Sequence, residues 1–291
     1  PECKHKIDPK GREKLCAVCF TKRMAGELYF KKEILKEKEI NYPYMSTIAA
    51  LPFKIKVIEN WKRTFCLVKN YNELLKQLDI EKNFNWNLIR HFPVKVLYAN
   101  FSPESDGFRE FADFLAFDGQ WIYEESFTSK GFEDYGIKYN DHKKEITGIL
   151  EAIENIKGAI SEKPSKYLSV IAMDGDKMGK WMSGTHLDWP IYKDVLHSDA
   201  IPLIDQTILN KKRSLSPAVH SFISKCLNNF SLRLVKDIVE FEYPGKLIYS
   251  GGDDVLALMP VEYTLKAVEK IRFTFSGQIN ENKEIDLSHK N

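Results

Sequence analysis

The sequence predicts an α+β protein in three parts: a small zinc-binding segment, a mainly helical region and a β-α-β-β-α unit. Three observations carry that reading. Cys3, His5, Cys16 and Cys19 crowd the start of the chain. Apolar residues recur at helical spacing through the middle. Beyond it, short apolar runs alternate with helical pattern, and two of those runs bracket Gly251-Gly252-Asp253-Asp254. The expected parts are residues 1–45, 46–163 and 164–291, the last boundary falling at Glu162-Lys163-Pro164-Ser165.

The first part is set by its ligands. Cys16-Ala17-Val18-Cys19 is a C-x2-C knuckle, whose two thiolates reach one metal. Cys3 and His5 are the candidates to complete a tetrahedral structural Zn²⁺ site in a segment too small to build its own core. Two buried free cysteines beside an exposed histidine would read the same way in sequence. Residues 21–40 are rich in Lys, Glu and Leu and read as a charged helix, broken at Asn41-Tyr42-Pro43-Tyr44.

The second part is helical by periodicity. Ile48, Leu51, Ile55 and Ile58 share a face, and the pattern resumes from Tyr71 to Leu78. Cys66 is expected in the core. Residues 83–97 are mixed. Phe108, Phe111, Phe114 and Leu115 mark one helix over 108–117; Ile146, Ile149, Leu150, Ile153 and Ile156 mark another over 143–160.

The third part opens with Tyr167 to Met173, a continuous apolar run expected of a strand covered on both faces. It ends in Asp174-Gly175-Asp176-Lys177-Met178-Gly179-Lys180. A long loop over 181–216 follows, carrying Lys211, Lys212 and Arg213, then a helix over 217–240. Strands over 246–250 and 255–259 form a hairpin, and a helix over 262–275 closes the unit. One more strand would complete a ferredoxin-like fold, the scaffold of palm polymerases and cyclases. The polar residues 276–291 are poor in β-formers, so that strand is expected to be missing from this chain.

Glycines and aspartates are ordinary hairpin-turn residues. Here they coincide with a second strand that also delivers acids at its end. If the strands are neighbours, Asp174, Asp253 and Asp254 converge, although 79 residues separate the first two. Carboxylates so placed suit Mg²⁺ or Mn²⁺ and two-metal phosphoryl or nucleotidyl transfer. Backbone amides from Gly175 to Gly179 are candidates to cradle phosphates, with Asp176 in the same turn. Lys177 and Lys180 are candidate charge partners, Gly251 and Gly252 allow close backbone approach, and Ser250 is placed to touch a base.

Composition bounds the partners. The 291 residues are 43% hydrophobic and 29% charged with net charge +2, which excludes a generic polyanion binder. Residues 1–69 hold 16 Lys/Arg against 8 Asp/Glu, a patch that suits RNA or a partner and equally a solvated face. There is no run of 18 apolar residues, so no membrane partner is expected. Five cysteines, two in a knuckle, point to a reducing compartment and hence the cytoplasm.

Ser-Gly-Gly-Asp-Asp after a short strand, with Asp-Gly-Asp-Lys-Met-Gly upstream, is similar to the palm domain of the large subunit of type III CRISPR RNA-silencing complexes. The Cmr branch, type III-B, is the nearest in pattern. Ser216 to His220, Ser46 to Phe53 and the segment from Cys16 to Arg23 extend the resemblance along the chain. It implies two C-x2-C pairs at the zinc site, the first cysteine of which would precede Pro1. It also implies an N-terminal nuclease domain marked by His-Asp; no His is followed directly by Asp here, so the chain reads as an internal portion of a larger subunit. Its implied activity is synthesis of cyclic oligoadenylate from ATP, in a complex with other Cmr subunits, guide RNA and target RNA. Two alternatives stay open. One is a scaffold subunit that binds nucleotide without turnover. The other is a diguanylate-type cyclase, against which Asp254-Val255 counts, since an acidic-aromatic pair is the norm there.

Overall fold

A computed structural model describes residues 45–78, 80, 91–133 and 137–277. The zinc-ligand candidates Cys3, His5, Cys16 and Cys19, the charged helix and the segment after 277 lie outside the described residues. Contacts divide the chain into Pro1–Tyr42 and Pro43–Asn291, and all that follows concerns the second unit.

That unit begins with α1 (Met45–Glu59) and α2 (Trp61–Gln77), followed by α3 (Phe92–Asn100), α4 (Asp106–Ala116) and α5 (Lys143–Ile160). Each boundary has a local cause. Ser105 caps α4 by accepting from the Phe108 amide, and Ser161 takes a left-handed conformation (φ 56°) that ends α5. The apolar stripes pack inward: Phe111, Phe114 and Leu115 from α4, and Ile146, Ile149, Ile153 and Ile156 from α5, join one core with Leu51, Val68 and Leu75. Phe108 and Leu150 pack at its margin. Cys66 is exposed, against expectation. On α2 the buried positions are Thr64, Val68, Tyr71, Asn72 and Leu75, and residue 66 falls off that stripe.

Helix α1 is buried nearly all round, from Thr47 through Ile58 apart from Lys56. Pro52 sits inside it at an intrinsic cost of about 3 kcal/mol, which packing on every side offsets. At its start, Ser46 and Thr47 donate their hydroxyls to Asp118 Oδ1 at 3.0 and 2.8 Å, and the Gly119 amide donates to Thr47 Oγ1 at 2.9 Å. A side chain at Gly119 would meet the Ser46 carbonyl at 2.3 Å, so only glycine allows that approach. Halfway along, Lys54 is fully buried and donates to the carbonyls of Phe114 and Phe117 at 2.9 and 2.6 Å. The helix also lies against the sheet of the second half, touching β3 and β1.

Among the described residues the sheet has three strands, β1 (Leu168–Met173), β2 (Lys246–Gly251) and β3 (Asp254–Pro260), in the order β1-β3-β2 and antiparallel throughout. It is followed by α8 (Val261–Ser276) and preceded by α7 (Pro217–Asn229), which continues as π-helical turns over 230–234 and 237–242. Ser216 caps α7 and Pro217 sits in its first turn, where a missing N–H costs nothing. Ile171, Val255, Ala257 and Met259 face a core formed with Val235, Ile238, Val239, Ala267 and Ile271. The opposite face stays open: Val170 is 65% exposed and Ala172 is exposed too. The apolar run of β1 is therefore covered on one face only, against the expectation of two. Polar anchors tie the sheet to its surroundings. Buried Glu240 accepts from Lys246 Nζ at 2.7 Å and from the Leu247 amide at 3.2 Å, Lys95 Nζ donates to the Phe241 carbonyl at 2.8 Å, and Tyr123 Oη to that of Ser165 at 2.5 Å.

The segment over 181–216 has structure of its own. Trp181 stacks on His186 with centroids 4.4 Å apart, buried Trp189 donates Nε1 to the Arg213 carbonyl at 2.8 Å, and Ile191 bridges to Lys212.

Candidate active site at the hairpin tip

Two strand ends build the site. β1 and β3 pair from Leu168↔Pro260 to Met173↔Val255, so Asp174 follows β1 where Asp254 begins β3. β2 and β3 close through Gly251↔Asp254, leaving Gly252 and Asp253 as the two-residue turn. Gly252 has φ 65° while Asp253 does not take a positive φ, as in a type II′-like reversal with glycine at its first central position. The strands thus deliver Asp174, Asp253 and Asp254 to one end of the sheet.

Contact follows from this placement. A Cβ on Gly175 would lie 2.7 Å from both Cβ and Oδ2 of Asp253, and 2.8 Å from Met178 Cγ. Gly175 is the residue whose bare backbone lets the two loops close. Asp254, although at the surface, has its carboxyl held above the usual carboxylate range by desolvation, by the negative charges of Asp174 and Asp253, and by a side-chain hydrogen bond with Asp174. Carboxylates held this close repel one another, and a cation between them would relieve that repulsion. Among the described residues no three His, Cys, Asp or Glu side chains are already arranged around one point to hold a metal ion. The fit to Mg²⁺ or Mn²⁺ therefore rests on the donor chemistry: three hard carboxylate donors delivered to one end of the sheet, close enough to act on one another's charge.

The remaining candidates separate. Asp176 and Lys177 are exposed on the loop after β1, and Gly179 and Lys180 are exposed in the helical turn that follows it. Lys177 is left-handed at φ 55° and starts α6 (Met178–Met182), a single turn. Ser250 pairs with Val255, a residue of the helix-covered core, so its hydroxyl faces away from Asp254. Among the described residues its buried Oγ has no hydrogen-bond partner. The neighbour that sequence reasoning passed over is Tyr249. It pairs with Leu256, and alternation from Leu256 to Asp254 places it on the acidic face. The only hint in sequence was an aromatic residue two positions before the glycine pair.

An antiparallel sheet with helices on one face, an open second face and acids at a strand–hairpin end defines an α+β protein of the palm class. Residues 167–289 match the family model described as Cas10/Cmr2, second palm domain. A curated relative from Pyrococcus furiosus, "CRISPR system Cmr subunit Cmr2", is 35% identical over 174 residues, covering 57% of this chain and 19% of that protein. Another from Saccharolobus solfataricus, "CRISPR system CMR subunit Cmr2", is 38% identical over 73 residues, covering 25% of this chain and 7% of that protein. Residues 167–289, which hold the sheet and its acids, are therefore similar to the second palm domain of Cas10/Cmr2. The match spans less than a fifth of either relative's length.

Proposed function

We propose that the chain is the palm-bearing portion of the large subunit of an RNA-guided type III-B CRISPR effector complex, and that its hairpin site joins ATP into cyclic oligoadenylate by nucleotidyl transfer. The observation that carries the reading is the pairing of β1 with β3, which sets Asp174 beside Asp253 and Asp254 across 79 residues of sequence. Asp174 and Asp253 are the residues to hold one or two divalent ions, with Asp254 as third ligand or as proton acceptor. Mg²⁺ or Mn²⁺ would lower the pKa of a ribose 3′-hydroxyl, align it with an α-phosphate and neutralise the departing pyrophosphate. In the acceptor role, the Asp254 carboxylate would take the hydroxyl proton. Lys177 and Lys180 meet phosphate charge, and the amides between Gly175 and Gly179 line the turn where phosphates would rest. Gly251 and Gly252 keep the approach free of side chains.

The partners follow from the family: other Cmr subunits, with guide and target RNA reached through them, in the cytoplasm. The described residues contain no helix long and apolar enough to cross a membrane. A structural Zn²⁺ on Cys16, Cys19, Cys3 and a fourth ligand such as His5 remains part of this reading. So does the ferredoxin-like completion of the sheet by a fourth strand. Asp253→Asn in the assembled complex, supplied with ATP and target RNA, tests it. Assembly should persist while ATP conversion is lost; conversion at the parent rate would remove the proposed site.

A further inference from the structure

The geometry points to Tyr249 as the platform on which the base of a bound nucleoside triphosphate stacks while its phosphates reach Asp174 and Asp254. This inference rests on the nucleotidyl-transfer reading of the hairpin and names the residue that holds the base there.

Three observations lead to it. First, register places Tyr249, Gly251, Leu256 and Asp254 on the open face of the sheet, away from the packed helices. Tyr249 and Asp254 are diagonal neighbours across the strand pair, at a separation of about 7–8 Å, which suits a base at one end of a nucleotide and phosphates at the other.

Second, the ring lies over Gly251. A Cβ on Gly251 would lie 2.3 Å from the Tyr249 hydroxyl oxygen and 2.8 Å from Cζ. The hydroxyl end thus occupies the space of a missing side chain and directs the ring along β2 toward the acids. The first glycine of the pair has this role, whereas the second, Gly252, serves the turn with its positive φ. Any larger residue at 251 would push the ring out.

Third, the ring is held yet uncovered. Tyr249 is 54% exposed, and on the same face Val170 and Ala172 are open while Leu256 is half-buried. An aromatic ring laid over a glycine beside a patch of apolar side chains, with carboxylates at the rim, matches the amphipathic shape of a nucleotide. Ser250, the sequence candidate for base contact, is turned to the opposite face and leaves that role vacant. Stacking on a ring accepts any base, so Tyr249 supplies affinity and position without choosing adenine.

The test compares two ligands on the 291-residue chain. ATP and inorganic tripolyphosphate, each with Mg²⁺, are titrated calorimetrically into the parent, Tyr249→Leu and Tyr249→Phe. Loss of a base–aromatic stack weakens binding by roughly tenfold or more. Tyr249→Leu should lose that factor for ATP and nothing for tripolyphosphate, and Tyr249→Phe should bind both like the parent. Equal ATP affinity in the parent and Tyr249→Leu overturns the platform alone. So does a parallel loss for both ligands, which marks a structural role, or a Tyr249→Phe that fails like leucine, which marks the hydroxyl. A parent chain that binds ATP with Mg²⁺ no better than an Asp174→Asn/Asp254→Asn variant overturns the reading of the site itself.

Discussion

Lys54 offers the sharpest test of the packing. Its ammonium is fully buried on α1, beside two backbone carbonyls and over the Phe114 ring, with its centroid 5.3 Å away. Burial drives its pKa down from 10.5 to about 7, with the charge of Asp118 opposing the fall. The folded pKa lies below the unfolded one, so between the two the unfolded chain binds more protons. Stability then rises with pH across the window from about 7 to 10.5, is greatest above it, and is lost as pH falls toward the folded pKa. The slope approaches about 1.4 kcal/mol per pH unit, so the gain from pH 7 to pH 9 is about 2 kcal/mol for this one residue. Lys54→Met has similar bulk and no proton. It forfeits two hydrogen bonds to buried carbonyls, a loss of about 2–3 kcal/mol at pH 9, and at pH 7 it escapes the cost of burying a charge. Urea unfolding of parent and variant at pH 7, 8 and 9 should therefore show curves that diverge by about 2 kcal/mol toward high pH. Buried Trp121 gives a fluorescence signal from the same core. Parallel pH profiles would refute the assignment of a titrating amine to that core.

Other outcomes follow from the site and its anchors. Asp254→Asn should raise the melting temperature at neutral pH, because it relieves repulsion from Asp174 and Asp253; an unchanged or lower value would mean the carboxylates are not in conflict. Divalent-ion binding should weaken in acid as Asp254 keeps its proton, measured by Mn²⁺ titration across pH. Gly175→Val should leave the helical core folded and displace Asp253, seen as loss of Mn²⁺ binding without loss of near-ultraviolet dichroism. Glu240→Ala should cost about 3 kcal/mol in denaturant unfolding, since it strips the start of β2 of its carboxylate partner.

The hairpin was legible because its signals are local. Gly-Gly-Asp-Asp between two apolar runs specifies turn, register and the site of charge at once. The helices of the middle region were legible for the same reason, as the stripe on α5 shows. What escaped depends on what lies across a gap. Leu168 to Met173 is apolar apart from Ser169, and nothing in that run says which face a helix will cover. Ser250 and Tyr249 are adjacent, and only the shift in pairing between Leu247 and Tyr249 decides which of them joins the acids. Lys54 hides inside an apolar helix because its partners are backbone carbonyls, which leave no trace in side-chain pattern.

Helix α1 has a consequence for how the chain comes to be folded. It is made among the first described residues, yet one of its surfaces belongs to β3, which is synthesised about two hundred positions later. Until β3 arrives, α1 must present apolar surface to water or borrow a temporary cover. Contacts of such long sequence separation close late and slowly. A fragment beginning near residue 164 would carry all three strands and every acid of the hairpin, and would still lack the helix that lies against them. Such a fragment should be expressed only with residues 45–59 supplied in trans, and that complementation would report assembly of the sheet.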